Sequence, residues 1–247
     1  MKTLTSLLCL AMLLCCSPGN KADSKKDEPS EAEASEGELD DGPFALRSLP
    51  EGWQLDTAQH TDTALNLSAF LVVPRAGIEA IDQAMRGDLD SQYHDFAVSV
   101  EEMLAEGRPL QESMMSDFYA APVSVYADDQ VISSLFVVSY YHAGAAHPLT
   151  MYYAFNFDGQ THRRLQFENY FTLTTVEDSL WVRELIADGV GVSEEVITAL
   201  STIDFNVEGD TISFNFDNYE VASYAAGILQ GRLHRQELAE YIREEYR

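Results

Sequence analysis

Beyond Cys16 the chain has no cysteine: Cys9, Cys15 and Cys16 all fall within the first sixteen of 247 residues. That absence excludes a disulfide framework, a thiolate metal site and a cysteine nucleophile from everything downstream. Cations are scarce as well, with 15 Lys and Arg against 41 Asp and Glu and a formal net charge of -26. Nucleic acid and anionic membrane surfaces need basic residues to neutralise their phosphates, so neither is expected as a partner. A cationic partner is compatible with this charge, which would speed its association. The opening apolar run, residues 4–16, is shorter than the roughly 20 residues a helix needs to span a bilayer. The sequence also lacks a GxSxG elbow, a phosphate loop, an HExxH pair and a dinucleotide fingerprint.

What is present begins with that short apolar run. A basic start at Lys2, an apolar core and then small or polar residues describe an export signal. Leu13-Leu14-Cys15-Cys16 resembles the lipobox of bacterial lipoprotein signals, with Cys16 as the acylated residue and Cys15 where Gly, Ala or Ser is usual. A triacylated cysteine supplies the more than one chain that stable membrane anchoring requires. Ser17 follows it, not the aspartate that retains lipoproteins at an inner membrane. The expectation is an exported, membrane-anchored lipoprotein, on the outer membrane facing the periplasm if the cell has two membranes.

Residues 17–43 are rich in Glu, Asp, Ser and Pro and contain no Val, Ile or aromatic residue. Such a segment cannot bury enough apolar surface to offset its ordering entropy. The expected organisation is a signal peptide at 1–15, an acidic disordered tether at 16–50, an N-terminal α+β lobe at 51–158 and a C-terminal α+β lobe at 159–247.

Within the lobes the period changes repeatedly. Leu65, Leu67, Ala69, Leu71 and Val73 alternate as a half-buried strand does. Ile78, Ile81, Met85, Leu89, Tyr93, Phe96, Val100 and Leu104 recur three or four apart and predict a long amphipathic helix. Residues 131–141 and 151–157 predict two strands. Asp158-Gly159 predicts a type I′ hairpin into a further strand over 161–167. A helix is predicted over 175–188 with Val176, Leu180 and Leu185 inward, then a short helix from Ser193 to Leu200. Alternation around Glu208-Gly209-Asp210 predicts a second hairpin, and a last helix is expected over 236–246. Strands clustered in hairpins with helices between them imply an α+β fold of antiparallel sheets.

Chemistry-bearing residues are few. His142 and His147, five apart in YYHAGAAHPL, could share a metal with a distant carboxylate. Paired acids such as Glu101-Glu102 and Asp128-Asp129 read as solvated faces or turns. The Tyr/Phe-rich strand could line a sugar-binding surface, though half of any alternating set must face a core.

Three stretches carry a resemblance. They are Ser139 to His147 with the aromatic strand and Asn156-Phe157-Asp158-Gly159 behind it; Leu165-Gln166-Phe167-Glu168-Asn169-Tyr170-Phe171; and Phe214 to Gly227, with Tyr219-Glu220-Val221-Ala222-Ser223-Tyr224 at its centre. Together they resemble the extracytoplasmic domain of RsiV-type anti-sigma factors, which also occurs beside peptidoglycan deacetylase domains and in uncharacterised bacterial lipoproteins. In the first stretch Ala145 stands where that family tends to have a second glycine. The resemblance covers most of residues 60–245. It implies an α+β envelope domain without known catalysis of its own, and in the RsiV branch lysozyme binding. The ligand-binding candidates are His142, Gly144, His147, Tyr219, Glu220 and Tyr224. The expected function is a non-catalytic binding module for a lysozyme-like cationic protein or peptidoglycan, with no cofactor or resident metal. The alternatives are a metal-dependent peptidoglycan-modifying hydrolase and a structural envelope protein.

Overall fold

The computed structural model describes residues 44–107 and 114–247. The expected signal peptide, the Cys16 acylation and nearly all of the tether lie outside the described residues.

The fold is α+β, with eight strands in two sheets among the described residues. The first sheet has five strands in sequence order: β1 (Gln54–Asp62), β2 (Leu67–Arg75), β3 (Ser116–Ala127), β4 (Val131–Tyr141) and β5 (Leu149–Asp158). All its neighbours are antiparallel except β2 and β3, which run parallel and are separated in sequence by helix α1 (Glu79–Ala105). A parallel pair needs such a crossover because no tight turn can join it. β1 is polar on both faces and sits at the sheet edge. It therefore shows none of the alternation that marks β2.

α1 forms as its spacing predicts. Ile81, Met85, Leu89, Phe96 and Val100 are buried along one stripe. That stripe packs on Leu67, Leu71, Phe118, Phe136 and Phe155 from the sheet. Each such side chain removed from water contributes roughly 1.5–3 kcal/mol. Asp82, in the first turn, accepts the backbone N–H groups of Ala76 (2.7 Å) and Gly77 (3.1 Å), which fixes the chain entry. Pro122, which cannot donate to a ladder, sits where the β3–β4 register shifts between Pro122 and Ser124.

The second sheet comprises β6 (Asp204–Glu208), β7 (Thr211–Phe216) and β8 (Leu229–His234), all antiparallel. Between the sheets in sequence lie a one-turn helix α2 (Phe167–Tyr170) and helix α3 (Val176–Val190). Thr175 caps α3 through a reciprocal bond with Asp178. The core here is built on Phe167, Tyr170, Phe171, Phe205 and Phe214, with Val131 of β4 joining it. No described helix is long and apolar enough to cross a membrane.

The seam between the sheets is polar. Ser133 donates to Asn156 (2.7 Å) and accepts the backbone N–H of Val207 (2.9 Å). The Asn156 amide donates to the Phe205 carbonyl at 2.7 Å. Ser124, Ser133, Asn156, Asn206, Ser213 and Asn215 are all buried. Arg47 and Ser48, at the expected end of the tether, hydrogen-bond along β3 to Val123 and Val125, and Arg47 reaches Glu208 of β6 at 2.6 Å.

Four expectations are corrected. Gly159 does not adopt positive φ; His162 does, at 59°. Asp158 instead accepts the N–H groups of Gln160 (3.0 Å) and Thr161 (2.6 Å), and a single bridge from Phe157 to Arg164 replaces the strand over 161–167. The glycine is required by proximity, since a Cβ there would lie 2.7 Å from the Asp129 carbonyl oxygen.

α3 is rotated from its expected face. Val176 and Leu180 are exposed, Leu185 is partly buried, and Val182, Ile186 and Ala187 are buried. The controlling contact is with β8: a Cβ on Gly231 would meet Val190 Cγ2 at 2.7 Å, and Gly189 lies against Leu233. The packed positions Val182, Ile186, Gly189 and Val190 thus follow helical spacing. Further on, the short helix from Ser193 is two separate 3-10 turns, Glu194–Val196 and Leu200–Thr202.

The last helix is absent: residues 235–241 form turns, Ile242 makes a single bridge to Phe171, and Glu244–Tyr246 is a 3-10 turn. Leu238 and Ile242 are buried as expected of one helical face. The backbone there pairs outward instead, with Thr172 N–H to Tyr241 and Arg243 N–H to Tyr170.

Candidate functional site

The loop from β4 to β5 carries His142, Gly144 and His147. A turn in which Ala145 N–H meets the His142 carbonyl at 2.9 Å places Gly144 at φ 85°, where glycine is free of the Cβ penalty. This turn aims the two histidines at different neighbours. His142 Nε2 lies 2.9 Å from Ser99 Oγ, and its ring meets Phe96 edge-on at 4.8 Å, both on α1. His147 is exposed and stacks on Tyr224 with ring centroids 3.7 Å apart. Among the described residues no group of three or more His, Cys, Asp or Glu side chains is placed to hold a metal ion. The shared-metal arrangement of His142 and His147 is therefore not what the fold builds.

The third motif supplies the other half. After β7 the chain turns at Asp217, whose N–H donates to the Glu220 carboxylate at 2.8 Å. Tyr219, inside that turn, has φ 71° and is 60% exposed. A bulky residue in this region is uncommon and strained. Its ring lies 5.4 Å from that of Tyr224, which opens a 3-10 turn (Tyr224–Ala226) ended by Gly227 at φ 75°. The Tyr224 hydroxyl donates to the Pro148 carbonyl at 2.9 Å, and His147 Nδ1 lies 3.1 Å from the same oxygen. His147, Tyr224 and Tyr219 thus form a ledge of three rings with exposed Glu220 beside them. Such rings can stack on a sugar or receive a Lys or Arg cation, which a neighbouring carboxylate favours further.

The ledge is held by a row of side chains that sequence patterning does not single out. β5 is an edge strand, and its outward N–H groups are met one by one. Asn218 accepts Thr150 N–H (3.1 Å), Asp217 accepts Tyr152 N–H (2.8 Å) and Asp204 accepts Ala154 N–H (3.3 Å). These bonds blunt an edge that would otherwise offer a template to another chain. Burial pushes the Asp204 carboxyl up to about 6, against the pull of the Ala154 hydrogen bond and Arg164. Burial also pushes Asp217 up to about 7, aided by the nearby charges of Glu220 and Asp204. Arg164 closes the far end of the row, over the Phe155 ring at 4.4 Å and 2.8 Å from Asp88. The only sequence signal for this row is the Asp217-Asn218 pair at the end of a strand, which reads as an ordinary turn.

No protein-family model matches the sequence, and no curated protein does. Solved structures match the fold. A DUF3298 family protein from Pseudomonas aeruginosa aligns with a TM-score of 0.55 and 12% identity, over 80% of this chain and 96% of that one. A DUF3298 family member from Bacteroides fragilis aligns with a TM-score of 0.51 and 17% identity, over 78% and 94%. The chain's fold is therefore similar to that of DUF3298 proteins, a family of domains of unknown function.

Proposed function

We propose that the chain is a non-catalytic binding module of the cell envelope, anchored by lipid at Cys16, which docks a lysozyme-like cationic protein. The supporting observation is the convergence of two distant segments, His147 and Tyr219–Tyr224, into one ring ledge, with His147 and Tyr219 exposed, Tyr224 half-buried between them and exposed Glu220 alongside. Strain at Tyr219 is consistent with this use, because strained residues cluster at ligand sites. The net charge of -26 steers a cationic partner toward the module. A peptidoglycan glycan, stacking on the same rings, is the alternative ligand. The tether would hold the module away from the membrane, on the periplasmic face of an outer membrane where the cell has one.

A low-salt pull-down of the full chain against c-type lysozyme and against purified peptidoglycan tests the reading. Lysozyme should be retained, released by added salt, and lost with Tyr219→Ala and Tyr224→Ala. Retention of peptidoglycan alone would assign the ledge to a glycan. Retention of neither at low salt ends both readings.

A further inference from the structure

The two edges of the five-stranded sheet are finished in opposite ways. At β5 the outward N–H groups of Thr150, Tyr152 and Ala154 each meet a side chain. At β1, among the described residues, no backbone or side-chain group bonds to the outward N–H and C=O groups. Edge strands are ordinarily guarded by Lys, Pro, a bulge or brevity. β1 has none of these: its nine residues, QLDTAQHTD, pair with β2 in unbroken register. Its two acids are engaged within the chain. Asp62 accepts the N–H groups of Ala64 (2.8 Å) and Leu65 (3.0 Å), and Asp56 lies 3.8 Å from Arg75. Such an edge is a template for one more strand.

The strand that fits is written in β1 itself. Antiparallel pairing of β1 with a second β1 about Ala58 uses all nine residues and sets Asp56 opposite His60, Gln54 opposite Asp62 and Thr57 opposite Gln59. No like charges meet, and twofold symmetry makes each pair occur twice. An imidazole N–H donates to a carboxylate, and opposed pairs of this kind stabilise a ladder. Gln54 takes Arg75 on its Oε1, which leaves its NH2 group to donate to Asp62. His60 is held on the α1 side of the sheet by stacking on Tyr93, with ring centroids 5.4 Å apart, and Asp56 shares that face by alternation. The register is selective: moving the centre to Gln59 would oppose Asp56 to Asp62. α1 packs over β2 and β3, one strand in from this edge.

From this complementarity we infer that two copies of the chain pair through β1, antiparallel about Ala58, and join their sheets into one of ten strands. Net charge opposes the approach of two acidic copies, but charges more than about 8 Å apart are largely screened at physiological salt. β1 is the edge opposite β5, beside which the ring ledge stands, so pairing leaves a ledge free at each end and does not depend on what the ledges bind.

Sedimentation equilibrium at physiological salt tests the pairing on the full chain carrying Cys9→Ser, Cys15→Ser and Cys16→Ser, which keeps it unacylated and free of thiols. A monomer–dimer equilibrium should appear at micromolar concentration. His60→Asp sets two carboxylates against each other at two places in the ladder and should weaken dimerisation about tenfold. Adding Asp56→His to His60→Asp swaps the pair and should restore the dimer, which a mere loss of folding does not allow. Ala58→Cys, on the axis, should oxidise to a covalent dimer, whereas Gln54→Cys, roughly 27 Å from its counterpart in this register, should not. A monomer at high micromolar concentration, a dimer indifferent to His60→Asp, or equal cross-linking at the two positions would each overturn the assignment.

Discussion

The two halves of the folded chain each bury an aromatic and aliphatic core, by different means. The first sheet is covered by one long helix whose apolar stripe is written in its own spacing. The second is covered by pieces: a one-turn helix, a short helix turned by two glycine contacts, two 3-10 turns and a C-terminal segment without regular structure. Local pattern specifies the first half, and contacts between remote segments specify the second. The ring ledge belongs to the kind of structure that remote contacts assemble.

The sharpest test of this contrast removes one aromatic from each core. Phe118, beneath α1, and Phe205, at the centre of the second cluster, are both buried. Each Phe→Ala change should cost about 3–5 kcal/mol, read from denaturant midpoints. Phe205→Ala should also unlock the C-terminal turns, seen as lost hydrogen-exchange protection at Arg243, while Phe118→Ala should not unlock them selectively. Equal protection loss in both variants would break the contrast.

A smaller effect is expected at the glycine contact that orients α3. Gly231→Ala drives a methyl into Val190 and should cost roughly 1–3 kcal/mol, measured by thermal unfolding. Unchanged stability would mean that α3 takes its face from something other than β8.

The acids that pin β5 come next. The Asp217 carboxyl is raised to about 7 and Asp204 to about 6, so the folded state favours the proton at both. Their stabilising contribution is full below about pH 4 and is lost as pH rises through 6 to 7. Asp217→Asn keeps an acceptor for Tyr152 N–H and removes the charge. At this half-buried site, discounted for solvent screening, it should stabilise by roughly 1–2 kcal/mol at pH 8 and by little at pH 4. Melting curves at the two pH values decide it, and a lower Tm at pH 8 would refute the assigned protonation.

The smallest effect belongs to the face expected to be inward. Leu180 is 48% exposed, so Leu180→Ser should change stability by less than about 0.5 kcal/mol in urea titration. A core-sized loss would restore the orientation read from spacing.

Much of the fold was legible. β4 occupies the predicted residues, α1 follows its stripe, and the hairpin at Glu208–Gly209–Asp210 closes with Gly209 at φ 65°. β1 was hidden because an exposed edge strand has no apolar period, and β8 because Gly231 and Arg232 interrupt its pattern. Leu238 and Ile242 have helical spacing, yet the backbone beside them, at Tyr241 and Arg243, is taken by Thr172 and Tyr170. Of the candidate residues, His147, Tyr219 and Tyr224 meet and Glu220 stands beside them, whereas His142 turns to α1 and Gly144 shapes the loop.

The sequence by itself determined the fold class, the long helix, the central strands and the acidity, because each rests on composition or on contacts within one element's period. Tertiary structure alone decided which face of α3 is buried, which side chains seal the β5 edge, and which rings converge. Those outcomes depend on close approaches between residues far apart in the chain, such as Gly231 with Val190 and Asp217 with Tyr152, and no local pattern encodes them.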